Sequence, residues 1–136
     1  MEIPSLKKEI VSGLYAALLE NVLSNNSLIL ATSSGIITGN PISDEEIETA
    51  KSKKEFSEMT EVESSICIDS SLLDVINKNY EEQYKVNRPT QGNDGYLWLK
   101  DATLLSGGAT YHFGTLIVFY DQILGVSVGN TSANKN

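Results

Sequence analysis

From Tyr96 the chain reads YLWLKDATLLSGGATYHFGTLIVFYDQILGVSVG, a series of short apolar runs rich in β-branched and aromatic residues. Three polar or glycine breaks interrupt it: Lys100-Asp101, Gly107-Gly108 and Asp121-Gln122. This pattern constrains the fold more than any other part of the sequence. Helix is disfavoured because Gly125 sits inside the last run and most of its neighbours prefer extended backbone. Strands are expected at Tyr96–Leu99, at Ala102–Leu105, near Tyr111–Tyr120 and at Ile123–Val128. Short strands at this spacing with glycine turns describe a small sandwich or barrel. Asp121-Gln122 reads as a tight bend, since an Asp side chain can satisfy turn backbone, while Gly125 and Gly129 permit curvature or bulges.

Upstream the period changes. Leu6, Ile10, Leu14, Leu18 and Val22 recur every four residues behind Ser5, a helix N-cap type, so an amphipathic helix is expected. Leu28–Ala31 and Ile36–Thr38 flank Ser33-Ser34-Gly35 and form a hairpin signal. Ser43 and Glu46 have the capping-box spacing and open an acidic helix with a thin apolar stripe of Ile47, Ala50 and Phe56. Between 61 and 88 the pattern predicts a short strand-like run around Ile66 and Ile68, then a helix from Ser70 or Ser71 carrying Leu72, Leu73, Ile76 and Tyr80. Asn87–Gly95 is loop chemistry, and the polar residues 130–136 form an expected disordered tail. The resulting class is α+β: about five strongly bent strands, an N-terminal helix and a helical insertion at about 43–88, in one domain spanning 1–129.

A chain of 136 residues is long enough to bury roughly two-thirds of its unfolded surface without metal or disulfide support. Its one cysteine, Cys67, excludes an intramolecular disulfide and reads as a small buried hydrophobe. No stretch approaches the ~20 apolar residues of a membrane span, and MEIPSLKKEI is unlike a signal peptide. A cytoplasmic protein is therefore expected. The net charge is −8 and it is local: residues 44–82 hold twelve acids against Lys51, Lys53, Lys54 and Lys78. That field repels nucleic acid and anionic membrane and favours a basic partner.

Recognisable reaction chemistry is sparse. GVSVG has the spacing of a nucleophile elbow, but the polar NTSANKN that follows Gly129 supplies no supporting helix. His112, the only histidine, with Asp101 or Asp121 is the remaining general-base arrangement. The acidic stretches lack calcium-loop spacing, and neither phosphate-binding glycine motif occurs. No cofactor or metal is expected, and no catalytic residue is assigned. Tyr96 and Trp98 share one strand face by period two, which suits interface anchoring better than a nucleic-acid platform with its single Lys100. With the terminal strand pair, they give six candidate partner-binding residues: Tyr96, Trp98, Phe119, Asp121, Ile123 and Gly125.

The order of these elements resembles the Sm-like small β-barrel, matched by LILATSSGIITGNPI, YLWLKDATLL and LIVFYDQILGVSVG. A narrower resemblance, to the gas vesicle accessory protein U family, rests on SSGIITGNPISDEE (Ser33–Glu46), YLWLKDATL and Gly125-Val126-Ser127-Val128-Gly129. The Sm-like resemblance implies a barrel whose terminal strands are subunit edges, hence a homo-oligomer. The narrower one implies a non-enzymatic accessory role in gas vesicle formation. The Asp-to-Asn motif and the Arg-Gly step of RNA-binding Sm proteins are absent, the only arginine being Arg88. An Sm-like RNA binder and a small His112 enzyme are the alternatives.

Overall fold

The computed structural model describes residues 5–20, 26–84 and 95–129. Helix α1 (Leu6–Leu19) is followed by strands β1 (Ser27–Thr32) and β2 (Gly35–Pro41), helices α2 (Asp44–Ser52) and α3 (Glu61–Tyr84), and strands β3 (Tyr96–Ser106), β4 (Ala109–Phe119) and β5 (Ile123–Gly129). Short 3-10 turns occur at Phe56–Glu58 and Tyr120–Gln122. The strands form one antiparallel sheet in the order β4-β3-β2-β1-β5. The expected α+β class holds at this level. The sheet is open: β4 pairs only with β3 and β5 only with β1 among the described residues. Residues 130–136, expected to be disordered, and most of the Asn87–Gly95 loop lie outside the described residues.

The connection between the two outermost strands dictates how the sheet bends. Flat, five strands at ~4.8 Å spacing would place β4 and β5 roughly 19 Å apart. Only the three residues Tyr120–Gln122 join them, and a 3-10 path of that length covers about 8 Å. The sheet must curl until its edges approach at this turn. Two bulges serve the curl. Between Thr38↔Thr103 and Asn40↔Lys100, β3 carries one residue more than β2, and there Asp101 adopts a left-handed φ of 48°. On β5, Leu124 is the extra residue opposite Ala31/Thr32.

The break at Lys100-Asp101 is therefore a bend inside one strand, not the separation between two strands that the sequence pattern suggests. The hairpin tip is a true turn, with Gly107 and Gly108 at φ +57° and +81°, values suited to a two-residue hairpin.

A second correction concerns residues 61–69, which are helical and continuous with the helix expected from Ser70. Ile66 and Ile68 do not form a strand. A reciprocal cap starts the helix: the Glu63 N–H donates to Thr60 Oγ1 at 3.1 Å and the Thr60 N–H to Glu63 Oε1 at 2.9 Å. Ile66 then finds burial with Ile42 and Ala50, which outweighs the modest helix penalty of its branched side chain.

Two cores result. On the inner face of the sheet, Leu28, Leu30, Ile37, Leu97, Leu99, Ala102, Val118 and Ile123 pack with Val11 and Leu18 of α1. A smaller core of Ile42, Ala50 and Ile66, joined by Ile47, Val62 and Trp98, holds α2 and α3 together and onto β3. Tyr15 links the layers. Its hydroxyl donates to the Trp98 carbonyl at 2.8 Å and accepts from the Ile42 N–H at 3.1 Å, and burial raises its pKa above the ordinary 10.0. None of the described helices is long and apolar enough to cross a membrane.

Candidate protein-interaction surfaces

The six candidate residues fall into distinct environments. Tyr96 and Trp98 share the outer face of β3, as their spacing predicts, and α3 lies over that face. The Trp98 indole N–H donates to Asp69 Oδ2 at 3.2 Å, the Thr115 hydroxyl donates to the same oxygen, and Asn77 donates to the Tyr96 hydroxyl at 2.9 Å. Phe119, at the end of β4, meets the Tyr96 ring edge-on with centroids 6.3 Å apart and remains 56% exposed. Past the turn, Asp121 is exposed, Ile123 is buried in the main core, and Gly125 sits beside the Leu124 bulge. Phe119 and Asp121 thus present side chains to solvent, while Ile123 shapes the fold from within.

Of the chemistry-bearing residues, Asp101 and His112 lie two ladder positions apart on the paired strands β3 and β4, and no hydrogen bond joins them. His112 lies exposed on β4 opposite Thr103 near the hairpin tip, while Asp101 is at the bulge and Asp121 in the distal turn. Ser127 is exposed on β5. Cys67 is half-buried with its thiol donating to the Ala50 carbonyl at 3.7 Å. No group of three or more His, Cys, Asp or Glu residues is placed to hold a metal among the described residues.

A cleft of about 630 Å³ lies where the α2 and α3 N-termini meet the β3 bulge, lined in part by Glu46, Lys53, Glu63, Lys100 and Asp101. Four of these charges, Glu46, Lys100, Glu63 and Lys53, belong to the two helix caps. The Glu46 carboxylate accepts from the Ser43 N–H at 3.1 Å and from the Lys100 ammonium. Burial pushes its pKa up, but the Lys100 and Ser43 hydrogen bonds outweigh that and hold it below the ordinary 4.5. Glu63 accepts from Lys53 at 2.7 Å as well as from Thr60, and these bonds lower its pKa too. Each helix is capped by a glutamate that a lysine neutralises.

Large apolar side chains are exposed on several elements, including Leu6 and Ile10 of α1 and Leu124 of β5, and they gather on β4 and on α3. Along β4, whose outer edge is unpaired among the described residues, Tyr111, Phe113 and Phe119 are exposed. Between β4 and the β1–β2 turn lies a groove of about 240 Å³, lined by Thr32, Ile37, Leu104, Phe113 and Leu116 among others. On α3, Ile68, Leu72, Val75 and Ile76 are each at least half exposed. This helical stripe is absent from the six candidates. Its signal was in the i, i+4 and i+7 spacing from Ile68, obscured when Ile66 and Ile68 are assigned to a strand.

Comparison of the chain with protein-family models, with curated proteins and with solved structures finds no match.

Proposed function

We propose that this chain is a non-enzymatic accessory or adaptor protein that acts by binding protein, first of all other copies of itself through its sheet edges. The observation that carries this reading is β4: an eleven-residue strand, bonded on one side only among the described residues, with Tyr111, Phe113 and Phe119 exposed. A long apolar edge is a template for another strand unless it is covered. The other edge, β5, exposes Leu124 beside its bulge. Pairing of β4 on one copy with β5 on the next is a heterologous, head-to-tail contact, which closes into a ring when the rotation per subunit allows. In this account the curled sheet is a small strongly bent barrel whose β4 and β5 edges are completed by neighbours. Gas vesicle formation is the process suggested by the resemblance of Ser33–Glu46, Tyr96–Leu104 and Gly125–Gly129.

The RNA-binding alternative needs Tyr96 and Trp98 open to bases, whereas Asp69 occupies the Trp98 indole and the chain carries a net charge of −8. Those features favour protein as the partner. Amide hydrogen exchange tests the edge contact. Peptides from 109–119 and 123–129 gain protection as protein concentration rises if these edges pair between copies. Exchange at both edges that is fast and independent of concentration argues against it.

A further inference from the structure

The exposed stripe of α3 has acidic ends. Along one heptad line the helix presents Glu61, Ile68, Val75 and Glu82, with Leu72 and Ile76 beside the two central positions. Ile68, Leu72, Val75 and Ile76 are 50%, 56%, 58% and 59% exposed, and both glutamates are exposed. The opposite side of the helix is already used: Ile66 is in the second core, and Asp69 and Asn77 are bonded to β3. An apolar stripe on a helix normally faces a packing partner.

The glutamates decide what covers it. If two copies paired along this line in parallel, Glu61 would face Glu61 and Glu82 would face Glu82. Antiparallel pairing in matched register would set Glu61 against Glu82. Either arrangement opposes carboxylates, within a segment (44–82) whose twelve acids outnumber its lysines by eight. An anionic membrane is disfavoured by the same field, and Lys78 is the only basic residue of α3.

We propose that this face of α3 docks an amphipathic helix of a partner protein, one whose apolar stripe is bracketed by lysine or arginine three heptads apart. That spacing matches Glu61 to Glu82 in either helix direction, about 31 Å along the axis at 1.5 Å per residue. The inference rests on the reading of the chain as protein-binding, and it places a partner on a different surface from the sheet edges.

The probe is a designed 28-residue helix with leucines over its two central heptads and arginine at the two flanking heptad positions, followed by fluorescence anisotropy. Its counterpart carries glutamate at those two positions. The arginine-ended peptide is expected to bind at least tenfold tighter, with the preference shrinking as salt is raised. Leu72→Lys/Ile76→Lys should abolish binding, and Glu61→Lys/Glu82→Lys should reverse the preference; circular dichroism verifies that each variant is folded. Ile36→Lys, on β2, should leave binding unchanged. Equal affinity for the two peptides, or full affinity in Leu72→Lys/Ile76→Lys, overturns the proposal. So does self-association of the native chain that Leu72→Lys/Ile76→Lys abolishes, since a second copy would then be the occupant. Failure of both peptides with concentration-dependent protection of the sheet edges intact removes this site alone. Failure of both together with unprotected edges removes the protein-binding reading as well.

Discussion

The Trp98 indole N–H donates to the Asp69 carboxylate at 3.2 Å, and the same carboxylate oxygen takes the Thr115 hydroxyl. One side chain of α3 thus clamps β3 and β4 together from outside. Asp69→Ala should cost about 2 kcal/mol, the scale of losing hydrogen bonds to a charged group and leaving a half-buried indole N–H unpaired. Trp98 is the only tryptophan, so its emission reports the loss directly. A denaturant melt followed by that emission should show a lower midpoint and, before unfolding, a shift toward solvent-exposed indole.

Gly114 lets α3 approach β4. A Cβ there would lie 2.6 Å from Ser65 Oγ and 3.3 Å from Ser65 Cβ. Gly114→Ala should destabilise by about 1 kcal/mol, at the lower end for added volume in a packed contact. Ser65→Ala, which removes the hydroxyl oxygen at the tightest contact, should recover part of that loss. A double-mutant cycle is expected to give a coupling of at least ~0.5 kcal/mol, as for residues in contact.

Tyr15→Phe removes one hydroxyl that serves two backbone groups, the Trp98 carbonyl and the Ile42 N–H. The expected loss is about 1–3 kcal/mol, because both polar groups are left without that partner. Equilibrium unfolding measures it, and the same variant should loosen the start of α2, seen as faster amide exchange at Ile42.

Glu46 and Glu63 set an acid limit. Both carboxyls titrate below the ordinary 4.5 in the folded chain. Their contribution is therefore complete above the unfolded value and is lost as pH falls through the lower folded value. Between pH 5 and 3 the native chain should lose stability more steeply than Lys100→Met, in which Glu46 keeps its cap but loses the lysine. Urea midpoints across that range check the sign.

Much of this fold is legible before any coordinates. The four-residue apolar spacing from Leu6 marks α1, Ser43 with Glu46 marks the start of α2, and Asp121-Gln122 marks the turn between the two sheet edges. Two elements are not. Ile66 and Ile68 look like strand because branched residues carry that local preference, whereas the Thr60/Glu63 cap and the long-range contact with Ala50 decide for helix. Lys100-Asp101 looks like a turn because polar pairs usually end strands. A bulge admits the same residues without ending the ladder, and only the β2–β3 register distinguishes them. Of the six candidate surface residues, the period-two alternation placed Tyr96 and Trp98 on one face. It carries no information on what covers that face, and α3 does.

Light scattering on a sizing column, with absorbance at 260 and 280 nm across the peak, tests assembly through the open edges of the sheet most directly. The prediction is a nucleic-acid-free species of several times 14.8 kDa that Tyr111→Lys/Phe113→Lys, both on exposed β4 positions, disperses to the monomer. A native chain that elutes at the monomer mass at every concentration would contradict it.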